Sequence, residues 1–361
     1  MAQFNNITYQ ASGDVRKILP IKYDLMTLND PIFQIMPITS VDAGKVIWDV
    51  PDSTLGITAG RRPDSPYGVV QRLGANRFSA DPGYYGDQLV ITEQMANESA
   101  EIGSFQGPVD VTAIQMRDQD QLIARGFQRL KLVGWTMFCT GKYTTVDSNG
   151  QLVMADQAQL TPFTTTISWA LPATSTPLAD LRNLYERHLG QSVSFGRDAR
   201  IYLAQPDVNA LLANSNPNDL GAKLRVWLGT SQQGTQPMTL ADVNSYLLEA
   251  DLPQIVAWDD NYLDSNNVAQ RYIQPGFGVC VGKRLRNEPV AEFVMTRNVE
   301  IKYGRPGSKT SLSGFDNLYF DVRMEHGPWR LISLLGFNGA PALYYPGAIV
   351  PFRPTGGGSD T

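Results

Sequence analysis

Histidine is nearly missing from this chain: there are two in 361 residues, His188 and His326. Neither has a cysteine or a second histidine at ligand spacing, so nothing points to a zinc site, and both read as packed or solvated side chains. Cysteine is as scarce. Cys139 and Cys280 lie inside the apolar runs WTMFC and FGVCVG, so buried free thiols are expected, not a disulfide, which suits a reducing compartment. A G-x-S-x-G nucleophile elbow and an H-E-x-x-H metal motif are both absent. The segment nearest to a phosphate loop, GFGVCVGK from Gly276 to Lys283, has one residue too many between its glycines. Arg284 follows where Ser or Thr should hold magnesium. The segment reads as a buried strand. No catalytic constellation or cofactor site emerges, and no enzyme activity is expected.

Charge is also in short supply. Charged residues make up 18% of the chain, with a formal net charge of -5, against roughly 25% charged in ordinary soluble domains. A chain that buries much of its surface against neighbours tolerates such a deficit, and so does a large monomer. The basic excess of a dedicated nucleic-acid reader is lacking. No run approaches the roughly 18 uninterrupted apolar residues of a membrane span. The opening residues MAQFNNITYQASGD carry no basic segment followed by an apolar one, so no secretory signal is expected.

What is present has a distinct order, and the sum is an α+β chain. Residues 1–45 read as an arm: Pro31 and Pro37 interrupt short apolar clusters, which suits extended backbone lying on another surface. Ile32, Phe33, Ile35 and Met36 are too few for a core of their own. Residues 46–98 read as a long hairpin, with VIWDV leading out and QLVITEQ returning. The stretch between is rich in Gly, Pro, Asp and Arg, and a loop of such length usually serves a partner. Residues 109–139 form the strongest helix, about 28 residues and ~42 Å long, with Asp110 as N-cap and Thr140-Gly141 as its stop. KYTTVDSNGQLVMA reads as a hairpin and TPFTTTISW as a further β segment. Helices are expected at TSTPLADLRNLYERHLG, with Pro177 at its first position, at DVNALLAN, and at MTLADVNSYLLEADLP, capped by Thr239 with Asp242 three residues on. ARIYLAQP is a strand. QIVAWDDNYLDSNNVAQRYIQPGFGVCVG is a hairpin turning at Asp264 to Asn267. Residues 285–350 are mostly short strands, and PTGGGSDT is a flexible tail. Asp259, Asp260 and Asp264 could hold a cation, but such residues favour turns anyway and read as a solvated hairpin end.

This order resembles the Hong Kong 97-type capsid fold of tailed bacteriophages, closest to the lambda-type major capsid protein E family. Three passages carry the resemblance: GYYGDQLVITEQMANES, the helix end TGKYTTV from Thr140 to Val146, and LPQIVAWDDNYLDSNNVAQRYIQPGFGVCVG. It spans roughly residues 20–350 and departs most after 307. The resemblance implies an N-terminal arm (1–45), an extended loop (46–98) and a peripheral domain built on the spine helix (99–172 and 285–350). It further implies an axial domain (173–284) and a tail (351–361). It also implies a structural subunit that assembles with itself into hexamers and pentamers of a virion shell around double-stranded DNA, formed in the host cytoplasm. Scaffolding and portal proteins, and in some relatives decoration proteins, would be its other partners. An encapsulin-type compartment of the same fold is the runner-up, and an α+β enzyme is a third reading.

Inter-subunit contacts are expected from the loop residues Arg61, Arg62, Val69, Val70, Arg72, Leu73, Arg77, Phe78, Tyr84 and Tyr85. A long polar hairpin cannot cover its own apolar side chains, and burying them on a neighbour removes apolar area from water at ~25 cal/mol per Å². The loop arginines are expected to pair with acids of an adjacent copy, Asp118 and Asp120 on the spine helix being the partners in view. Ile32, Phe33, Ile35 and Met36 of the arm complete the expected contact set. The loop has no lysine between Lys45 and Lys131, so an isopeptide cross-link from a loop amine is not expected.

Overall fold

The computed structural model describes residues 2–4, 7–9, 30–51, 74–98, 109–146, 152–157, 160–188, 193–227, 238–264, 266–284, 289–298 and 317–355. It divides into two compact units. One comprises Met1–Trp48, Ser79–Gly134 and Ala291–Ala342, the other Asp49–Phe78, Trp135–Val290 and Leu343–Thr361. Within the chain these divisions fall at 48/49, 78/79, 134/135, 290/291 and 342/343.

The first unit is a helix on a sheet. The long helix Thr112–Thr140 begins where expected: the Asp110 carboxylate accepts the Thr112 N–H at 2.9 Å. Its interior holds no proline, and Leu122, Ile123, Leu130 and Val133 recur at helical spacing and are buried. The helix stops at Gly141, which takes a left-handed φ of 75° while its N–H bonds the Met137 carbonyl. The sheet is ordered Tyr319–Glu325, Arg330–Leu343, Ala291–Thr296 and Ile38–Ser40, with Gly83–Thr92 also paired to the long strand Arg330–Leu343. That last pairing is antiparallel and runs ten residues, from Arg330 opposite Thr92 to Gly339 opposite Gly83.

Two expectations are corrected here. The arm around Ile32 is not extended: Pro31–Ile35 is a short helix, with Asp30 accepting the Ile32 N–H and Pro31 in its first turn. A proline suits that position because its missing N–H would have been unpaired anyway. Nor is the return of the long hairpin QLVITEQ. The strand Val46–Pro51 pairs with Ala75–Ala80, whereas Gly83–Thr92 is built into the sheet of this unit.

The second unit carries a mixed five-stranded sheet ordered Phe163–Thr164, Ile349–Arg353, Gly278–Val281, Arg200–Leu203 and Gln254–Ala257. The helices Pro177–Arg187, Gln205–Leu212, Leu220–Trp227 and Leu240–Glu249 belong to it. Its core gathers Trp169, Leu181, Leu184, Phe195, Ile201, Val243, Cys280 and Phe352, all essentially inaccessible. Thr239 and Asp242 form the expected capping box. The segment GVCV is a buried strand hydrogen-bonded on both sides, so its glycines cradle no phosphate. The expected long hairpin of 254–281 is smaller than the sequence implies. Gln254–Ala257 pairs in parallel with Arg200–Leu203, and only Asn261–Leu263 and Ala269–Arg271 face each other across the turn. TPFTTTISW contributes two strand residues, Phe163 and Thr164, and continues as turns.

Candidate assembly surfaces

The hairpin Val46–Pro51/Ala75–Ala80 is pinned by two ion pairs. Arg77 forks onto Asp49, with Nε and Nη2 at 2.8 and 3.0 Å from its two carboxylate oxygens. Lys45 meets Asp81 at 2.8 Å. The Arg77 guanidinium holds the Asp49 carboxyl below its ordinary range. Arg77 was expected to reach an acid on another copy, and its partner is instead the facing strand of its own hairpin. A fork of donors matches the nearest carboxylate in reach, and cross-strand spacing supplies one.

The remaining expected contacts divide by burial. Tyr84 is 69% exposed, whereas Tyr85 stacks on Phe337 with ring centroids 5.2 Å apart. Phe78 is half-buried. Ile32, Phe33 and Met36 are covered inside their own chain: Phe33 packs edge-on against Phe127, and a Cβ on Gly134 would come within 3 Å of Met36 and Ile32. Their apolar surface is therefore already used on the long helix, which corrects their assignment as inter-subunit contacts; Ile35 stays half-buried. Asp118 is half-buried, and burial raises its carboxyl above the ordinary value; Asp120 is exposed. Arg61, Arg62, Val69, Val70, Arg72 and Leu73 lie outside the described residues.

The chemistry-bearing residues are tied up. Asp259 pairs with Arg271, and Asp264 accepts the N–H groups of Asn266 and Val268, which keeps it ionised below its ordinary range. No group of three or more His, Cys, Asp or Glu among the described residues could hold a metal. Cys139 and Cys280 are free and buried, and burial pushes the Cys139 thiol up to about 12. His188 packs on Phe195 and bonds the Leu184 carbonyl through Nδ1. No helix among the described residues is long and apolar enough to cross a membrane.

Sequence alternation does not mark one exposed apolar pair. The small hairpin Asn261–Leu263/Ala269–Arg271 holds Leu263 and Val268 at 65% and 51% exposure, one on each side of its turn. The signal was present in LDSNNV, where apolar residues bracket a polar turn, but alternation alone does not say which side meets water.

No protein-family model matches the sequence, and no curated protein matches it. Solved structures do. A prophage protein from Escherichia coli assigned as a capsid protein aligns over 96% of this chain and 99% of its own, at TM-score 0.53 and 8% identity. A phage-related protein from Bordetella bronchiseptica aligns over 97% of this chain and 99% of its own, at TM-score 0.53 and 10% identity. The chain has the Hong Kong 97-type capsid fold. In this capsid fold Thr112–Thr140 is the spine helix. At such low identity the likeness fixes the arrangement of elements and not the residues that contact neighbours.

Proposed function

We propose that the chain is the structural subunit of an icosahedral bacteriophage head, assembling with itself into hexamers and pentamers around packaged double-stranded DNA. The observation that carries this reading is the end-to-end fold match: nearly all of this chain aligns with nearly all of two phage proteins. A fold alone does not specify function. Support therefore also comes from the sequence, whose charged fraction is low for a surface that must face water unaided. The DNA is held by enclosure, because a subunit of net charge -5 repels phosphate overall. Scaffolding and portal proteins are the further partners this reading requires, and the virion is its location. On this reading the extended loop within 46–98 reaches a neighbour, the unit with Ser79–Gly134 and Ala291–Ala342 acts as the peripheral domain, and the unit with Trp135–Val290 and Leu343–Thr361 acts as the axial domain.

The test is expression of the chain with and without the genes adjoining its own, followed by rate-zonal sedimentation. Fast-sedimenting particles made of this chain support the reading, and DNA protected from nuclease within them separates a phage head from an encapsulin-type compartment. A chain that stays at subunit size under both conditions contradicts it.

A further inference from the structure

Ser175, Asp180, Asn214, Asn216 and Asp219 are buried polar side chains, and they meet where the helix Pro177–Arg187 begins. The N-cap of that helix, Thr176, lends it no side-chain bond. Asp219 caps it instead, from 41 positions away: its carboxylate accepts the Leu178 N–H at 3.1 Å and also the Ala179 N–H. The same carboxylate accepts the N–H of Leu220, the first residue of the helix Leu220–Trp227. One acid therefore closes the N-termini of two helices. Asp180, in the first turn of Pro177–Arg187, brings a second carboxyl to this joint. It accepts the Trp169 indole N–H at 3.0 Å and the Thr166 N–H at 3.3 Å. Asn214 and Asn216 both donate to the Ser175 carbonyl, at 3.1 and 3.0 Å, and Asn214 accepts the Gly221 N–H at 3.3 Å. These bonds close the joint to water.

The charges at the joint do not balance. A helix N-terminus carries about half a positive elementary charge, so two of them offset roughly one carboxylate, and two carboxyls are present. Lys223 attracts Asp219 only from an exposed position, where water screens it. Arg182, Glu186 and Arg187 are exposed on the first helix. Arg353, on the strand Ile349–Arg353, donates to the Cys139 carbonyl and covers the Phe277 ring. Asp207 is held by the Gly276 N–H, and Asp242 is turned to its own capping box. The turn Thr165–Ser175 and the stretch Ala213–Asn218 contain no charged side chain. Burial raises both carboxyls above the ordinary range, and the charge of Asp219 pushes Asp180 further the same way.

We propose that Asp180 and Asp219 form a proton-operated latch: they hold one proton between them in mildly acidic solution, and its loss as the solution turns neutral sets two negative charges against each other and loosens the joint of the two helix starts. This goes beyond the shell-subunit reading and does not rest on it. The proton resides on Asp180, because backbone N–H groups at two helix starts and Lys223 favour the charge on Asp219. A carboxyl that keeps its proton to higher pH in the fold than in the unfolded chain stabilises the fold fully in acid. That contribution is lost as pH rises through the folded value.

The Trp169 indole N–H reports the charge of Asp180, because it donates to that carboxyl. The experiment is nuclear magnetic resonance of the intact chain, isotope-labelled at its tryptophan indole nitrogens, with the Trp169 signal assigned by its loss in Trp169→Phe. That signal is expected to titrate with a midpoint above about 4, the value of an exposed aspartate. The midpoint should fall in Asp219→Asn, which removes the repulsion. The titration should vanish in Asp180→Asn and stay unchanged in Asp207→Asn. A Trp169 signal that is flat above that pH in the unsubstituted chain overturns the proposal, as does a midpoint that Asp219→Asn leaves in place. If Asp219→Asn does not fold, melting of Asp180→Asn decides. Its melting temperature should gain on that of the parent from mildly acidic to neutral pH, and a constant difference overturns the proposal.

Discussion

The side-chain amide of Asn244 takes both backbone hydrogen bonds of Ile255: Nδ2 donates to the Ile255 carbonyl and Oδ1 accepts the Ile255 N–H, each at 2.8 Å. Ile255 lies on Gln254–Ala257, the last strand of its sheet. The alternate residues Gln254 and Trp258 bond inward to Ala199 and Leu203, so Asn244 stands where a further strand would. An open edge invites pairing between copies. Asn244→Ala is expected to destabilise the subunit by about 1–3 kcal/mol, the cost of leaving such groups unpaired, and to raise aggregation on mild heating. Urea unfolding followed by circular dichroism and light scattering checks both; an unchanged midpoint contradicts the assignment.

Gly339 allows the long strand to pass Ala291–Thr296. A Cβ there would stand 2.6 Å from a Phe293 ring carbon and 2.7 Å from the Val294 carbonyl oxygen. The oxygen belongs to backbone and cannot swing aside. Gly339→Ala is expected to cost about 1–3 kcal/mol through overpacking. Gly44→Ala, with nothing within 4 Å of the added methyl, is the matched control and should be close to neutral by the same unfolding assay.

Asp207 is buried at the start of Gln205–Leu212, and both its oxygens face the N–H of Gly276, at 3.1 and 2.9 Å. Burial raises its carboxyl above the ordinary value, and the Gly276 bond only partly offsets this. A carboxyl whose folded pKa is raised favours the fold while protonated. Its contribution is complete below the unfolded pKa and is lost as pH rises through the folded one. Asp207→Asn keeps an acceptor for Gly276 and cannot ionise. Its stability relative to the parent should therefore increase from acid to neutral pH, read as a widening difference in melting temperature. A difference constant across that range contradicts the argument.

The extended loop should serve assembly and not folding. Replacing residues 52–73 with a short Gly-Ser linker leaves the strands Val46–Pro51, Ala75–Ala80 and Gly83–Thr92 whole, and is expected to give a folded subunit that builds no shell. Shells of the intact chain should carry no loop cross-link, because the loop lacks lysine and Lys45 is paired with Asp81. Boiled in detergent, they should run as one band near 39.8 kDa; a ladder that survives reductant contradicts this.

The local signals in the sequence were legible where one residue decides the geometry. Asp110, Gly141, Pro177 and the Thr239–Asp242 pair each mark a helix end, because a cap depends on neighbours a few positions away. The turn at Asp264–Asn267 was legible for the same reason. Misread were the features that depend on distant residues. QLVITEQ alternates as a strand should, but its partner is the strand beginning at Arg330, more than 230 positions away. Ile32 and Met36 look unpartnered until Gly134 leaves room for them on the spine helix. Arg77 reveals a preference for carboxylates and not which one. The exposed pair Leu263 and Val268 was missed because burial is a property of the folded surface.

A shell subunit of this fold must close a particle from copies of itself. Electron microscopy of the purified, assembled protein tests it most directly. Hollow particles of uniform diameter are expected, with averages that resolve five-fold and six-fold clusters of this subunit. Dispersed single subunits at every concentration, or open sheets and filaments without five-fold closure, would contradict it.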